Sequence, residues 1–146
     1  MSKEVGFVSC TKKKLAQPAI PQELYQPSAY FRKASSYAES NHDEWYILSA
    51  KHQVLEPNGS PIEPYDETLS GATVNRKRRW SQSVLKELEH KGLIDSTITL
   101  VFHTGRDYHE ELIPLLQDRV AHVEIPTEGL RFGETLAWYN ERLEME

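Results

Sequence analysis

The sequence predicts a single α/β domain over residues 1–146, a three-layer sandwich with a mainly parallel, four-stranded, Rossmann-like sheet and helices on both faces. Three observations support this fold class. The chain of 146 residues has the usual size of one domain. Its short apolar runs alternate with segments of helical periodicity, which is typical of parallel strands joined by right-handed crossovers. Its composition, 38% hydrophobic and 27% charged, is that of an ordinary globular protein.

The first predicted unit is a strand followed by a helix. Residues 5–8 form a short apolar run that leaves the core at Ser9 and enters a polar loop. Prolines keep the following segment extended. Ser28 then begins a helix that places Tyr30 and Tyr37 on one face and ends near residues 40–41.

The second predicted unit contains a long connection. Residues 45–48 are aromatic and β-branched, as in a strand, and residues 50–71 carry three prolines without sustained periodicity. Loops of this length in compact domains are usually functional or disordered, and we favour a functional loop. Residues 74–91 have helical spacing, and Gly92 lies where a C-terminal cap is expected.

The third and fourth units complete the predicted sheet. Residues 98–102 form the clearest strand, and Thr104 and Asp107 resemble a capping box at the start of the next helix. Residues 121–125 alternate into Pro126 and predict a fourth strand near a sheet edge. Residues 132–143 predict a final helix.

Composition also excludes several classes of protein. No apolar run approaches the ~20 residues of a membrane span, and the N-terminal apolar run is too short for a signal-peptide core. The single cysteine rules out an internal disulfide and a Cys-rich zinc site, so we expect a cytoplasmic protein with no metal and no cofactor. The net charge of -5 argues against non-specific coating of DNA. The phosphate-loop, dinucleotide-turn, zincin and serine-hydrolase motifs are absent.

Polar loops follow each predicted strand. Ligands in open parallel sheets bind outside the carboxyl ends of the strands, so the candidate loops are residues 9–14, 49–66, 103–108 and 127–132. In the first loop, Ser9, Cys10 and Lys12 suit a phosphate or another anion. Cys10 beside three lysines also suits a nucleophile, although a lone cysteine after a strand is more often only a small residue.

The other loops offer further binding and catalytic groups. Lys51 and Arg106 are candidates to hold phosphate, and Asp66 or Glu128 to stabilise developing positive charge at a sugar carbon or to activate water. Ser49, Gly105, Tyr25 and Tyr65 are the other candidate ligand residues, with the tyrosines stacking on a base. The alternative is an ordinary surface loop around Tyr65 and Asp66, and a hydrogen-bonded structural role for His103.

Four cations occupy the first turns of the helix at residues 74–91, where the helix dipole disfavours positive charge. They are Arg76, Lys77, Arg78 and Arg79. Nucleic-acid phosphates would explain them, with Trp80 stacking on a base. The alternative places Trp80 in the core and pairs the cations with acidic residues elsewhere.

Several motifs carry a family resemblance that spans nearly the whole chain. They are Ser9-Cys10-Thr11-Lys12, Leu48-Ser49-Ala50-Lys51, Leu55-Glu56-Pro57 and Pro64-Tyr65-Asp66-Glu67-Thr68-Leu69. They resemble an uncharacterised domain-of-unknown-function family with the pattern S-C-T-K-x-K, L-S-A-K-x-x-x-L-x-P, P-Y-D-x-T-L. The middle motif is distantly similar to the peroxide-stress YaaA family, which is associated with DNA binding. Relatives of such domains occur beside base-modification genes, so the resemblance implies nucleotide or nucleic-acid chemistry.

The leading hypothesis is therefore a nucleotide- or nucleic-acid-directed enzyme that acts at an N-glycosidic bond or a modified base. A non-catalytic module that binds the same ligands through the same loops is the second hypothesis. The third is a protein-interaction domain that uses the basic helix. Residue patterns leave the oligomeric state open.

Overall fold

Strands and helices alternate along residues 2–144, the part of the chain that the computed structural model describes. The elements, in chain order, are β1 (Lys3–Ser9), α1 (Pro21–Leu24), α2 (Ala29–Asn41), β2 (Glu44–Ser49), β3 (Gln53–Leu55), α3 (Val74–His90), β4 (Ile98–His103), α4 (Arg106–His109), α5 (Ile113–Leu116), β5 (His122–Glu124) and α6 (Phe132–Glu144). Two predicted helix ends are confirmed. Ser28 caps α2 by accepting a hydrogen bond from the Phe31 N–H, and Gly92 follows α3 with a φ of 74°.

The sheet has five strands in the order β3-β2-β1-β4-β5, one strand more than the sequence predicts. β1 pairs in parallel with β2 and β4, and β5 pairs in parallel with β4 at the edge of the sheet. The additional strand, β3, pairs antiparallel with β2 inside the segment that we expected to be a loop throughout. Gln53 explains the difference, because its φ of 64° lets the chain reverse directly after β2.

The long helices contact different partners. α2 packs against β1, β2 and α6, and it buries Phe31 and Ala34. α3 packs against β3, α4 and α5, and it buries Val84 and Leu88. Trp80 is 5% exposed and belongs to this core, so the core alternative is correct and its ring is not available to stack on a base. Within residues 2–144, none of the helices has the length and apolar character that crossing a membrane requires.

The single helix predicted after β4 is in fact two short helices, α4 and α5. Pro114 lies in the first turn of α5 and lacks the N–H that a continuous helix would need there. The predicted capping box is also wrong. Gly105 occupies the N-cap position of α4 without a side-chain bond, and Thr104 Oγ1 instead lies 3.1 Å from His109 Nδ1.

Candidate functional site

A large recess, here called the main cavity, lies where the strand connections diverge. The chain leaves β1 towards β2 and leaves β4 towards β5 on the opposite side, which is the arrangement that creates a ligand crevice in an open sheet. The main cavity has a volume of about 1170 Å³. Its lining includes Ser9, Thr11, Lys12, Lys13, Tyr30, Thr104, Gly105, Arg106, His109, Glu110, Ile113, Ile125, Thr127, Glu128, Leu130, Phe132, Thr135 and Leu136.

Three cations line the main cavity. Lys12 and Lys13 follow β1 and are exposed. Arg106 opens α4, and its side chain is 86% exposed while its Nε donates to Glu110 Oε2 at 2.9 Å. An exposed surface pair of this kind contributes little to stability, so the guanidinium remains accessible to a ligand anion.

An imidazole and a carboxylate also line the main cavity. The Thr104 hydroxyl holds His109 through Nδ1, and burial lowers the pKa of His109 while the negative charge of Glu128 acts in the opposite direction. The His109 ring is therefore mostly neutral at pH 7 and able to accept a proton. Glu128 lies on an exposed turn before Gly129, whose φ is 82°. Sequence reasoning missed His109. The one feature that could have indicated it is its position three residues after Arg106, in the helix that follows a candidate loop.

Part of the lining of the main cavity is apolar. Ile113, Ile125 and Leu136 line it, and two large side chains stand open to solvent beside them. Leu130 is 38% exposed and Phe132 is 70% exposed. An exposed phenyl ring at a cavity rim offers a face on which a planar group can stack.

A second polar group, here called the hydroxyl network, lies beside β1 and β2 and is closed to solvent. Its members are Cys10, Tyr25, Ser49, Tyr65 and Tyr108. The Tyr65 hydroxyl lies 2.5 Å from that of Tyr25 and 2.7 Å from Ser49 Oγ. Cys10 Sγ lies 3.3 Å from the Tyr108 hydroxyl. Tyr25 and Tyr65 are 0% and 6% exposed, so burial argues against the stacking role that we expected of them.

The structure separates the candidate residues of the four predicted loops. Ser9, Lys12 and Gly105 line the main cavity, as do Arg106 and Glu128. Ser49 belongs to the hydroxyl network, while Lys51 and Asp66 are exposed and do not line the main cavity. Lys51 follows β2 and Asp66 follows β3, and both strands lie to one side of the divergence between β1 and β4.

The basic start of α3 already has partners within the protein. Lys77 Nζ lies 2.6 Å from Asp107 Oδ1 and 2.9 Å from Glu110 Oε1, and these hydrogen bonds raise the pKa of Lys77. Arg78 Nε lies 2.7 Å from Glu111 Oε1. Arg76 Nη1 donates to the Thr68 carbonyl at 3.1 Å, and Arg79 is exposed. Acidic residues on and after α4 thus offset the charge that the helix dipole disfavours.

Comparison with known proteins extends over nearly the whole chain. The model of a family of unknown function, DUF6884, matches residues 5–141. The chain belongs to this family. The DUF6884 domain is also similar to the uncharacterized protein YfjM of Bacillus subtilis (strain 168), with 28% identity over 130 residues that cover 85% of this chain and 83% of that protein.

Proposed function

We propose that this DUF6884 domain binds a nucleotide in the main cavity and acts as an enzyme at its N-glycosidic bond. One observation carries the proposal: Lys12, Arg106, Glu128 and the exposed ring of Phe132 converge on one cavity at the carboxyl ends of β1 and β4. The expected Rossmann-like arrangement supports the location, since ligands in such sheets bind where the connections diverge.

The composition of the cavity wall matches the parts of a nucleotide. Lys12, Lys13 and Arg106 supply positive charge for a phosphate. The apolar wall and the Phe132 ring accept a planar base by stacking. Glu128 lines the same cavity and is the carboxylate that we assign to the sugar. Phe132 takes the role that Tyr25 and Tyr65 are too buried to perform.

Two residues supply the chemistry of hydrolysis. The Glu128 carboxylate stabilises the positive charge that develops at the anomeric carbon as the base departs. The neutral His109 imidazole accepts a proton from the attacking water, so that oxygen bonds to the anomeric carbon as the C–N bond breaks. The departing base nitrogen takes a proton from solvent, and His109 returns its proton to solvent. Asp66, the other carboxylate that we considered, does not line this cavity.

A free nucleotide fits these charges better than a nucleic-acid polymer. Lys77 and Arg78, which would extend a phosphate track along α3, are engaged by Asp107, Glu110 and Glu111. The distant resemblance to the YaaA family implies DNA binding. The residues that carry this resemblance are in the segment around Lys51, outside the main cavity. The same engaged cations also weaken the case for an acidic protein partner at this helix.

Release of free base from nucleoside 5′-monophosphates, followed by chromatography, tests the enzyme. We expect Glu128→Gln to keep affinity within a few-fold and to reduce turnover on the order of a hundredfold, as for other preorganised electrostatic groups. Glu124→Gln is the matched control, because Glu124 is an exposed glutamate of β5 that does not line the main cavity. Equal turnover in the two variants would remove Glu128 from the mechanism.

One observation favours a binding module without catalysis. Glu128 is exposed, so bulk water competes with the protein for stabilising charge at the sugar. Under this second hypothesis, calorimetry detects nucleoside 5′-monophosphate binding that depends on Lys12, while no base is released at any pH. If inorganic phosphate, ribose 5-phosphate and the nucleotides all fail to bind, both hypotheses are wrong.

A further inference from the structure

Two histidine rings meet in the interior between β1, β4 and α6. Their Nε2 atoms, on His42 and His103, lie 2.8 Å apart. The outer nitrogens have partners as well: His42 Nδ1 lies 2.5 Å from Glu4 Oε1, and His103 Nδ1 lies 2.7 Å from the Tyr139 hydroxyl. We call these four residues the histidine chain. Gly6 makes room for it, because a Cβ at this position would clash with the His42 ring.

The hydrogen bonds of the histidine chain limit how many protons it holds. The Glu4 carboxylate requires a proton on His42 Nδ1, and an N–H···N bond between the rings requires that one Nε2 carry no proton. When His42 is neutral, His103 donates from Nε2 and accepts from Tyr139. When His42 is charged, His103 accepts at Nε2 and donates from Nδ1. His103 is the neutral member in both arrangements. A second proton on His103 while His42 is charged would place the Nε2–H groups of the two rings against each other.

The surroundings of His103 also disfavour its charge. The residue has no exposed surface, and burial together with the neighbouring His42 lowers its pKa to about 3. The titratable groups around the two rings are Glu4 from β1, Tyr30 and Tyr37 from α2, Glu124 from β5, and Tyr139 from α6. Glu4 and Glu124, the carboxylates among them, lie with His42 at a small surface recess rather than against His103.

The contact with His103 joins helix α6 to the sheet. Thr135 and Tyr139 are the buried residues of α6, while Trp138 and Leu143 are only partly buried against the core. The Tyr139 hydroxyl bonds to His103, and the Tyr139 ring packs edge-on against Tyr30, which lines the main cavity. The first turns of α6 supply Phe132, Thr135 and Leu136 to the cavity wall. Elements with few buried contacts open locally without unfolding of the whole domain.

We propose that the histidine chain is a pH-sensitive latch: acidification releases α6 from the sheet and removes one wall of the main cavity. In the open state His103 meets water and its pKa returns towards the ordinary value for histidine, about 6.5. The open state therefore binds one more proton than the closed state between pH 6.5 and the pKa of His103 in the closed state. Lower pH consequently favours opening. This inference does not rest on the proposed enzyme activity.

Native-state hydrogen exchange of the α6 backbone amides tests the latch. After correction for the intrinsic exchange rate, we expect the opening constant of α6 to rise towards about tenfold for each pH unit below 6.5, which is the limit for uptake of one proton. His103→Gln keeps one donor and one acceptor but cannot titrate, so its α6 opening should not depend on pH. His122→Gln, at an exposed position of β5, is the control and should behave as the unmodified protein.

Two results would overturn the latch. The first is an α6 opening constant that stays level from pH 7.5 to 5, and the second is an equal pH dependence in His103→Gln. If His103→Gln does not fold, nitrogen NMR of the unmodified protein decides the matter. We expect a neutral His103 ring at pH 5 in molecules whose α6 amides are protected, and a charged ring in those molecules would contradict the proposal.

Discussion

The main cavity and the hydroxyl network both include residues at neighbouring strand ends, yet they differ in what their polar groups contact. In the network, Tyr25, Ser49 and Tyr65 bond to one another and exclude solvent. In the main cavity, Lys12 is exposed, and Phe132 presents its ring to solvent. Hydroxyls that satisfy each other stabilise the fold, whereas charges and rings that face open volume are free to bind a ligand.

Residues of the sequence motifs have two different roles in the structure: some stabilise the core and others line the cavity. Tyr65 and Ser49 belong to the motifs that carry the family resemblance, and the structure gives them partners within the core. Ser9 and Lys12 belong to another of these motifs and line the cavity. A memorable motif is therefore not by itself evidence of a ligand contact in this protein.

The largest expected effect comes from removing a ring of the hydroxyl network. We expect Tyr65→Ala to lower the free energy of unfolding by about 3–5 kcal/mol, because it leaves a cavity and strips partners from Tyr25 and Ser49. Phe132→Ala, which removes a ring of similar size from the cavity rim, should change stability by less than about 0.5 kcal/mol. Urea denaturation measures both variants. Similar losses in the two would erase the distinction between the regions.

Alkaline pH provides a second way to separate the regions. Burial raises the pKa of both Tyr25 and Tyr65 above the usual range. Above pH 10 the unfolded chain therefore loses protons that the folded protein keeps, so stability falls as pH rises, by about 1.4 kcal/mol per pH unit for each such tyrosine. Absorbance at 295 nm during alkaline titration should show these phenols ionising only with unfolding. Early, reversible ionisation of every tyrosine would contradict a closed network.

A smaller effect is expected on the cavity side, where binding rather than stability should respond. Lys12→Ala should weaken nucleoside 5′-monophosphate binding about tenfold, the order expected for one charge-assisted contact with phosphate, without changing the urea midpoint. Lys51→Ala is the matched control, because Lys51 is exposed, follows β2 and does not line the main cavity. Calorimetry compares the two. An equal loss of nucleotide affinity in the two variants would contradict a phosphate site at Lys12 alone and would indicate that the loop after β2 also contacts the ligand.

The sequence by itself determined the local elements of this protein, because local rules govern them. Ser28 before α2 and Gly92 after α3 are caps whose geometry depends on a few neighbouring residues. The strands of the predicted units lie where apolar and β-branched residues cluster. The same strand assignments placed Lys12, Arg106 and Glu128 in polar loops at the carboxyl ends of the strands.

Only the tertiary structure decided which of those strand ends meet. Strand order depends on long-range pairing, so the sequence could not place the cavity between β1 and β4 or exclude Lys51 from it. Nor could it bring His42 and His103 together, since they lie 61 positions apart and each has ordinary neighbours in the chain. Contacts of this kind arise from the packing of whole elements, which no single segment encodes.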